Sequence, residues 1–124
     1  MVSPNNFCLR WNNFESNISR SFSELRTDSE FFDITLCCDN GLDVIYAHKV
    51  ILAACSPLFR KILSHQKNEK NPFLYLKSVQ KKELQAVLDF MYNGEVNIEQ
   101  DSLGTIQILR KHILDHFLTH PPTL

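Results

Sequence analysis

Residues 32–63 read FDITLCCDNGLDVIYAHKVILAACSPLFRKIL, and this run decides the fold. Phe32, Ile34, Leu36 and Cys38 alternate with Asp33, Thr35 and Cys37, which is the period of a strand with one buried face. Asn40-Gly41 follows, the dipeptide best suited to the left-handed residues of a tight hairpin turn. A second strand is predicted through Val44, Ile45 and Tyr46. Val50-Ile51-Leu52-Ala53-Ala54-Cys55 is apolar on every side, which predicts a short helix enclosed by the fold. Ser56-Pro57 opens another helix, because serine caps free backbone N–H groups and proline suits the first helical position, where no donor is needed.

Downstream, residues 64–71 form a polar loop that Pro72 closes, and Phe73-Leu74-Tyr75-Leu76 reads as a short buried strand. Leu84, Val87, Leu88, Met91 and Tyr92 then recur at helical spacing on one core-facing stripe, stopped by Asn93-Gly94. Upstream, Phe7, Leu9 and Trp11 alternate with Cys8 and Arg10 as a short strand, yet no neighbouring segment can pair with it. Asn12 or Asn13 is placed to cap the helix that follows, whose stripe is Phe14, Ile18, Phe22 and Leu25. Two arrangements are open for this end of the chain. The helix packs on its own core, or strand and helix dock together on a second copy across a two-fold axis.

The 124 residues suffice for one core, and a domain of that size leaves a share of its apolar surface for a partner to cover. A formal net charge of −1, with lysines at 61, 67, 70, 77, 81 and 82 interleaved among polar residues, argues against nucleic-acid binding. No apolar run approaches the ~18 residues of a membrane span, so a soluble, intracellular product is expected. The four cysteines are expected to be reduced, buried and hydrophobe-like: Cys37 and Cys38 face opposite ways on one strand, and Cys8 and Cys55 sit in apolar surroundings. No metal, cofactor or catalytic centre is expected. The three glycines form no phosphate loop or nucleophile elbow, and Glu24, Asp28 and Glu30 have no acidic counterpart for paired acid and base work. His112, His116 and His120 share a helical face but read as a polar stripe without further ligands.

The segments AHKVILAACSPLFRKIL and LDFMYNGEV resemble the BTB/POZ domain, and the opening FCLRWNNF is similar to its insect tramtrack and bric-à-brac subgroup. The resemblance runs over residues 6–104. It implies an α+β fold, a helical cluster capped by a small sheet, with the N-terminal strand and helix exchanged in a dimer. The receiving strand would be Glu95-Val96-Asn97-Ile98, and the interface Phe7, Leu9, Trp11, Phe14, Ile18, Phe22, Val96 and Ile98. Asp33 and Lys49 match positions that line a charged groove used by some members for co-repressor peptides, with His48 beside them as a hydrogen-bonded structural residue. A structural ion pair between Asp33 and Lys49 is the other reading.

A single domain is expected over residues 1–118, followed by a short flexible tail at 119–124. The ending departs from the family's usual terminal helices and Lys-Gly-Leu motif, although Leu103, Ile106, Leu109, Ile113 and Phe117 still offer an apolar stripe. The hairpin between Cys38 and Ala47 is longer than usual in the family. By resemblance, the function is homo- and hetero-oligomerisation of transcription regulators or chromatin cofactors in the nucleus, without a DNA-reading module or a membrane partner in this chain. The alternative is a substrate adaptor for a cullin-type ubiquitin ligase.

Overall fold

A computed structural model describes residues 5–38, 43–99 and 103–109. The Asn40-Gly41 turn, the three tail histidines, Ile113, Phe117 and the expected boundary at 118 lie outside the described residues. The elements run α1 (Phe14–Thr27), β1 (Ile34–Cys37), β2 (Val44–Ala47), α2 (Lys49–Cys55), α3 (Pro57–Ser64), β3 (Phe73–Tyr75), α4 (Lys81–Asn93) and α5 (Leu103–Leu109). The strands form one sheet in the order β2-β1-β3. β1 pairs antiparallel with β2, Leu36 opposite Ile45, and parallel with β3, Leu36 opposite Leu74. A parallel pair needs a crossover, and here α2 and α3 supply it.

Local chemistry fixes the helix ends. Ser56 is buried and its hydroxyl accepts from the Phe59 N–H at 3.3 Å, with Pro57 in the first helical position of α3. Glu83 folds back to accept from the Gln80 N–H at 2.9 Å, the return half of a capping box at the start of α4. Gly94 ends α4 at φ 82, in the left-handed region that glycine enters without a Cβ clash. Gly104 allows α5 to approach α4, since a Cβ there would lie 2.5 Å from the Glu83 carboxylate. Asn13 does stand at the N-cap of α1, but at φ 61 and with no side-chain capping bond.

One core forms between the sheet and the helices. Ile34 and Leu36 from β1, Leu52 from α2 and Leu84 and Leu88 from α4 are fully enclosed, and Val87, Met91 and Tyr92 complete the predicted α4 stripe. Each such side chain contributes roughly 1.5–3 kcal/mol on burial.

Several expectations require correction. Val50 and Ala54 are exposed, because α2 is two turns long and only its Ile51–Leu52 side meets the core. In β3 only Leu74 is buried; Phe73 and Tyr75 point to the outer face of the sheet, on the far side from the helices. Cys37 is buried as expected, even on the outward side of the strand period, since Val44 and Tyr75 flank it in register from both neighbouring strands. Cys8 is exposed and not in an apolar environment. On α5 Thr105 is buried and Leu103 is exposed.

Candidate functional site

The amino-terminal end carries the largest side chains left open to solvent. Phe7 is 89% exposed, Leu9 94%, Trp11 58% and Phe14 48%, and Val50 on α2 adds a further apolar residue at 65%. Only the Trp11 and Phe14 rings touch one another, edge to face with centroids 5.1 Å apart. Residues 6–11 form no strand, which follows from their having no partner strand among the described residues. Isolated exposed hydrophobes are ordinary, but here Phe7, Leu9, Trp11 and Phe14 follow one another closely in sequence and none is covered within this chain.

α1 is held at its far end. Ile18, Phe22 and Leu25 are half-buried, and Phe22 packs against the core. Ser23 donates to Asn93 Oδ1 at 2.6 Å, and Arg26 pairs with Asp89 at 2.6 Å while stacking over the Tyr92 ring at 5.1 Å. The helix therefore has a docked carboxyl-terminal half and an open amino-terminal half. Packing on its own core accounts for only part of its stripe, and none of its residues is fully buried.

Beyond the Gly94 cap, residues 95–99 alternate: Val96 and Ile98 turn in toward the core, whereas Glu95, Asn97 and Glu99 face solvent. They form no strand within this chain, and no backbone–backbone hydrogen bond among the described residues involves them. A hollow of about 250 Å³ lies alongside, between α4 and this edge, lined by Lys82, Asp89, Val96 and Ile98 among others. Period-2 burial together with the lack of backbone pairing among the described residues is compatible with an unpaired strand edge.

Asp33, His48 and Lys49 are brought together, but not as an ion pair. An Asp33 carboxylate oxygen accepts from the Lys49 backbone N–H at 2.7 Å, at the first turn of α2, where a negative charge is favoured. The Lys49 ammonium instead donates to the Glu69 carbonyl at 2.9 Å. The reading of a structural Asp33–Lys49 salt bridge is therefore replaced by a helix-start contact. His48 is buried with both ring nitrogens engaged: Nε2 lies 2.7 Å from the Glu30 carbonyl and Nδ1 2.5 Å from the Tyr92 hydroxyl. A carbonyl only accepts, so Nε2 carries the proton and Nδ1 accepts from Tyr92. The same hydroxyl accepts from the His48 backbone N–H at 3.0 Å. Left-handed backbone at Ser29 (φ 59) and Phe31 (φ 63) turns the chain on either side of Glu30. This closed network joins the α1–β1 loop, the β2–α2 junction and α4. Burial pushes the Tyr92 phenol above its ordinary value, opposed by the His48 hydrogen bond and by Arg26.

Sequence reasoning missed the exposure of Val50 and the outward aromatics Tyr46, Phe73 and Tyr75. The strand period carries a signal for Phe73 and Tyr75, which stand two apart on either side of the buried Leu74. Burial pushes the Cys38 and Cys55 thiols above their ordinary value, opposite to the shift that activates a thiol. Among the described residues, no three His, Cys, Asp or Glu side chains converge on a metal site, and no helix is long and apolar enough to cross a membrane.

Comparison with known proteins agrees with this geometry. The family model described as the BTB/POZ domain matches residues 22–120, past the point at which the tail departs from the familiar pattern. Among Drosophila melanogaster proteins, the chain is 43% identical to Broad-complex core protein isoforms 1/2/3/4/5 over 89% of its length, and 15% of that relative's. It is 44% identical to Longitudinals lacking protein-like over 83% of this chain and 79% of that one, and 38% identical to Protein bric-a-brac 1 over 84% and 10%. The chain thus spans a small part of the length of Broad-complex and bric-a-brac 1. The solved BTB domain of zebrafish PATZ1 superposes with a TM-score of 0.71 at 22% identity, covering 86% of this chain and 85% of that one. The BTB domain of human gigaxonin gives 0.70 at 21%, covering 89% and 88%. With the central sheet, the α2–α3 crossover and the α4 core in place, and with relatives above 40% identical over most of the length, this chain belongs to the BTB/POZ domain family.

Proposed function

We propose that this chain is a protein-interaction module that pairs with a second copy of itself and with related BTB chains, in the service of transcription regulators or chromatin cofactors in the nucleus. The observation that carries the pairing is the combination of two incomplete surfaces in one protomer. Phe7, Leu9, Trp11 and Phe14 stand exposed at one end, and an unpaired edge at 95–98 presents Val96 and Ile98 inward. Each surface has what the other lacks, and exchange between two copies closes both with a two-fold symmetric interface. Ile18 and Phe22 extend that interface along α1, and an obligate contact of this kind usually buries ~2,000 Å² or more. The nuclear, regulatory setting rests on likeness to the relatives, and the role is binding and not catalysis.

Asp33 and Lys49 form the charged groove in this reading, with His48 as its structural wall, and a co-repressor peptide is the ligand they would hold. The test is co-expression of two differently tagged full-length copies. Capture of one tag should retain the other, and deletion of residues 1–12 from both should abolish retention. Retention unchanged by that deletion would refute the exchange. Tight binding of a purified cullin N-terminal region, without retention of BTB partners, would favour the adaptor alternative.

A further inference from the structure

Resting on the exchange described above, we propose that Arg10 selects and registers the partner chain by ion pairing with Glu95 and Glu99 of the second copy. The argument starts from the two alternations. If Phe7 and Leu9 join Val96 and Ile98 on the core side of the paired strands, Cys8 and Arg10 share the outer side with Glu95, Asn97 and Glu99. Arg10 then faces a row in which two of the three residues are acidic.

The conclusion holds wherever Arg10 stands opposite residues 95–99. Opposite Glu95 or Glu99, the guanidinium meets a carboxylate directly. Opposite Asn97, both glutamates lie diagonally at roughly 7–8 Å between backbones, within reach of so long a side chain. The groups are available within one protomer. Arg10 is exposed and takes part in none of the ion pairs among the described residues. Glu95 has no such partner either, and Glu99 makes only a 3.7 Å contact with Lys82, with both side chains more than 70% exposed. In a two-fold dimer the pairing occurs twice, so a partner whose edge lacked acidic residues would lose one of the two contacts and pair less well than a second copy.

Charge reversal tests this with the full chain. Variant R10E is co-expressed with the double variant E95K/E99K, each with a distinguishable tag, and dimers are counted by native mass spectrometry. In each homodimer both contacts become repulsive, whereas in the heterodimer both remain attractive. A penalty of roughly ten-fold per homodimer would raise the heterodimer from about one half of all dimers to about nine-tenths. Raising the salt concentration to ~1 M should return the mixture toward one half, since exposed pairs are screened. A heterodimer fraction of about one half at low salt would overturn the role of Arg10 while leaving the exchange intact. Parent chains found only as single protomers would overturn the exchange itself and the pairing with it.

Discussion

Tyr92→Phe removes one oxygen from the most enclosed polar network of the domain and leaves the ring in place. That hydroxyl accepts from the His48 backbone N–H at 3.0 Å and donates to His48 Nδ1 at 2.5 Å, and both residues are buried. The imidazole cannot compensate by changing tautomer, because Nε2 must keep its proton for the Glu30 carbonyl at 2.7 Å. Two buried groups are therefore left unpaired, each at about 1–3 kcal/mol, offset in part by the hydroxyl that no longer has to be desolvated. The net loss is about 2–4 kcal/mol. Urea unfolding at fixed protein concentration measures it, and with a slope of ~1–2 kcal/mol/M the midpoint should fall by ~1 M or more. Tyr46→Phe, on the exposed outer face of the sheet, is the control and should stay within about 0.5 kcal/mol. A Tyr92→Phe midpoint indistinguishable from the parent would refute the network as a structural element.

Ser56→Ala removes the oxygen that caps α3 and should cost about 1 kcal/mol in the same urea assay; an unchanged midpoint would contradict the cap. The folded state favours the neutral forms of Cys55 and Tyr92, whose values are raised by burial from 9.0 and 10.0. Their contribution is therefore complete below pH 9 and is lost as pH climbs through the unfolded values toward the folded ones, so urea midpoints should decline above pH 9. A midpoint that rises over that range would contradict the sign. Cys8 is the one exposed cysteine, so a maleimide should label it first while Cys37, Cys38 and Cys55 react slowly in the native protein. Two rapidly labelled thiols would contradict the burial described here.

The β1–β2 pair, the Ser56-Pro57 helix start and the α4 stripe were legible because each rests on a period or a cap contained within a few residues. The parallel pairing of β1 with β3 was not, since no local signal tells which strands meet after a crossover of two helices. Val50 and Ala54 were misread for a related reason: composition shows that a helix is apolar, not how many of its sides the fold will cover. The closing of His48 by Tyr92 joins residues 44 apart in sequence and has no spacing to betray it. At the candidate interface the apolar alternation of Phe7, Leu9 and Trp11 was visible, while the proposed receiving segment came from the resemblance alone. The conversion of Asp33 and Lys49 from an imagined ion pair to a helix-start contact needed backbone geometry.

The central claim is that one protomer leaves Phe7, Leu9, Trp11 and Phe14 uncovered until a second chain arrives. Multi-angle light scattering of the full chain at micromolar concentration addresses it directly. The account predicts a mass of at least twice the 14.4 kDa protomer. A folded species at the mass of a single protomer across that concentration range would contradict it.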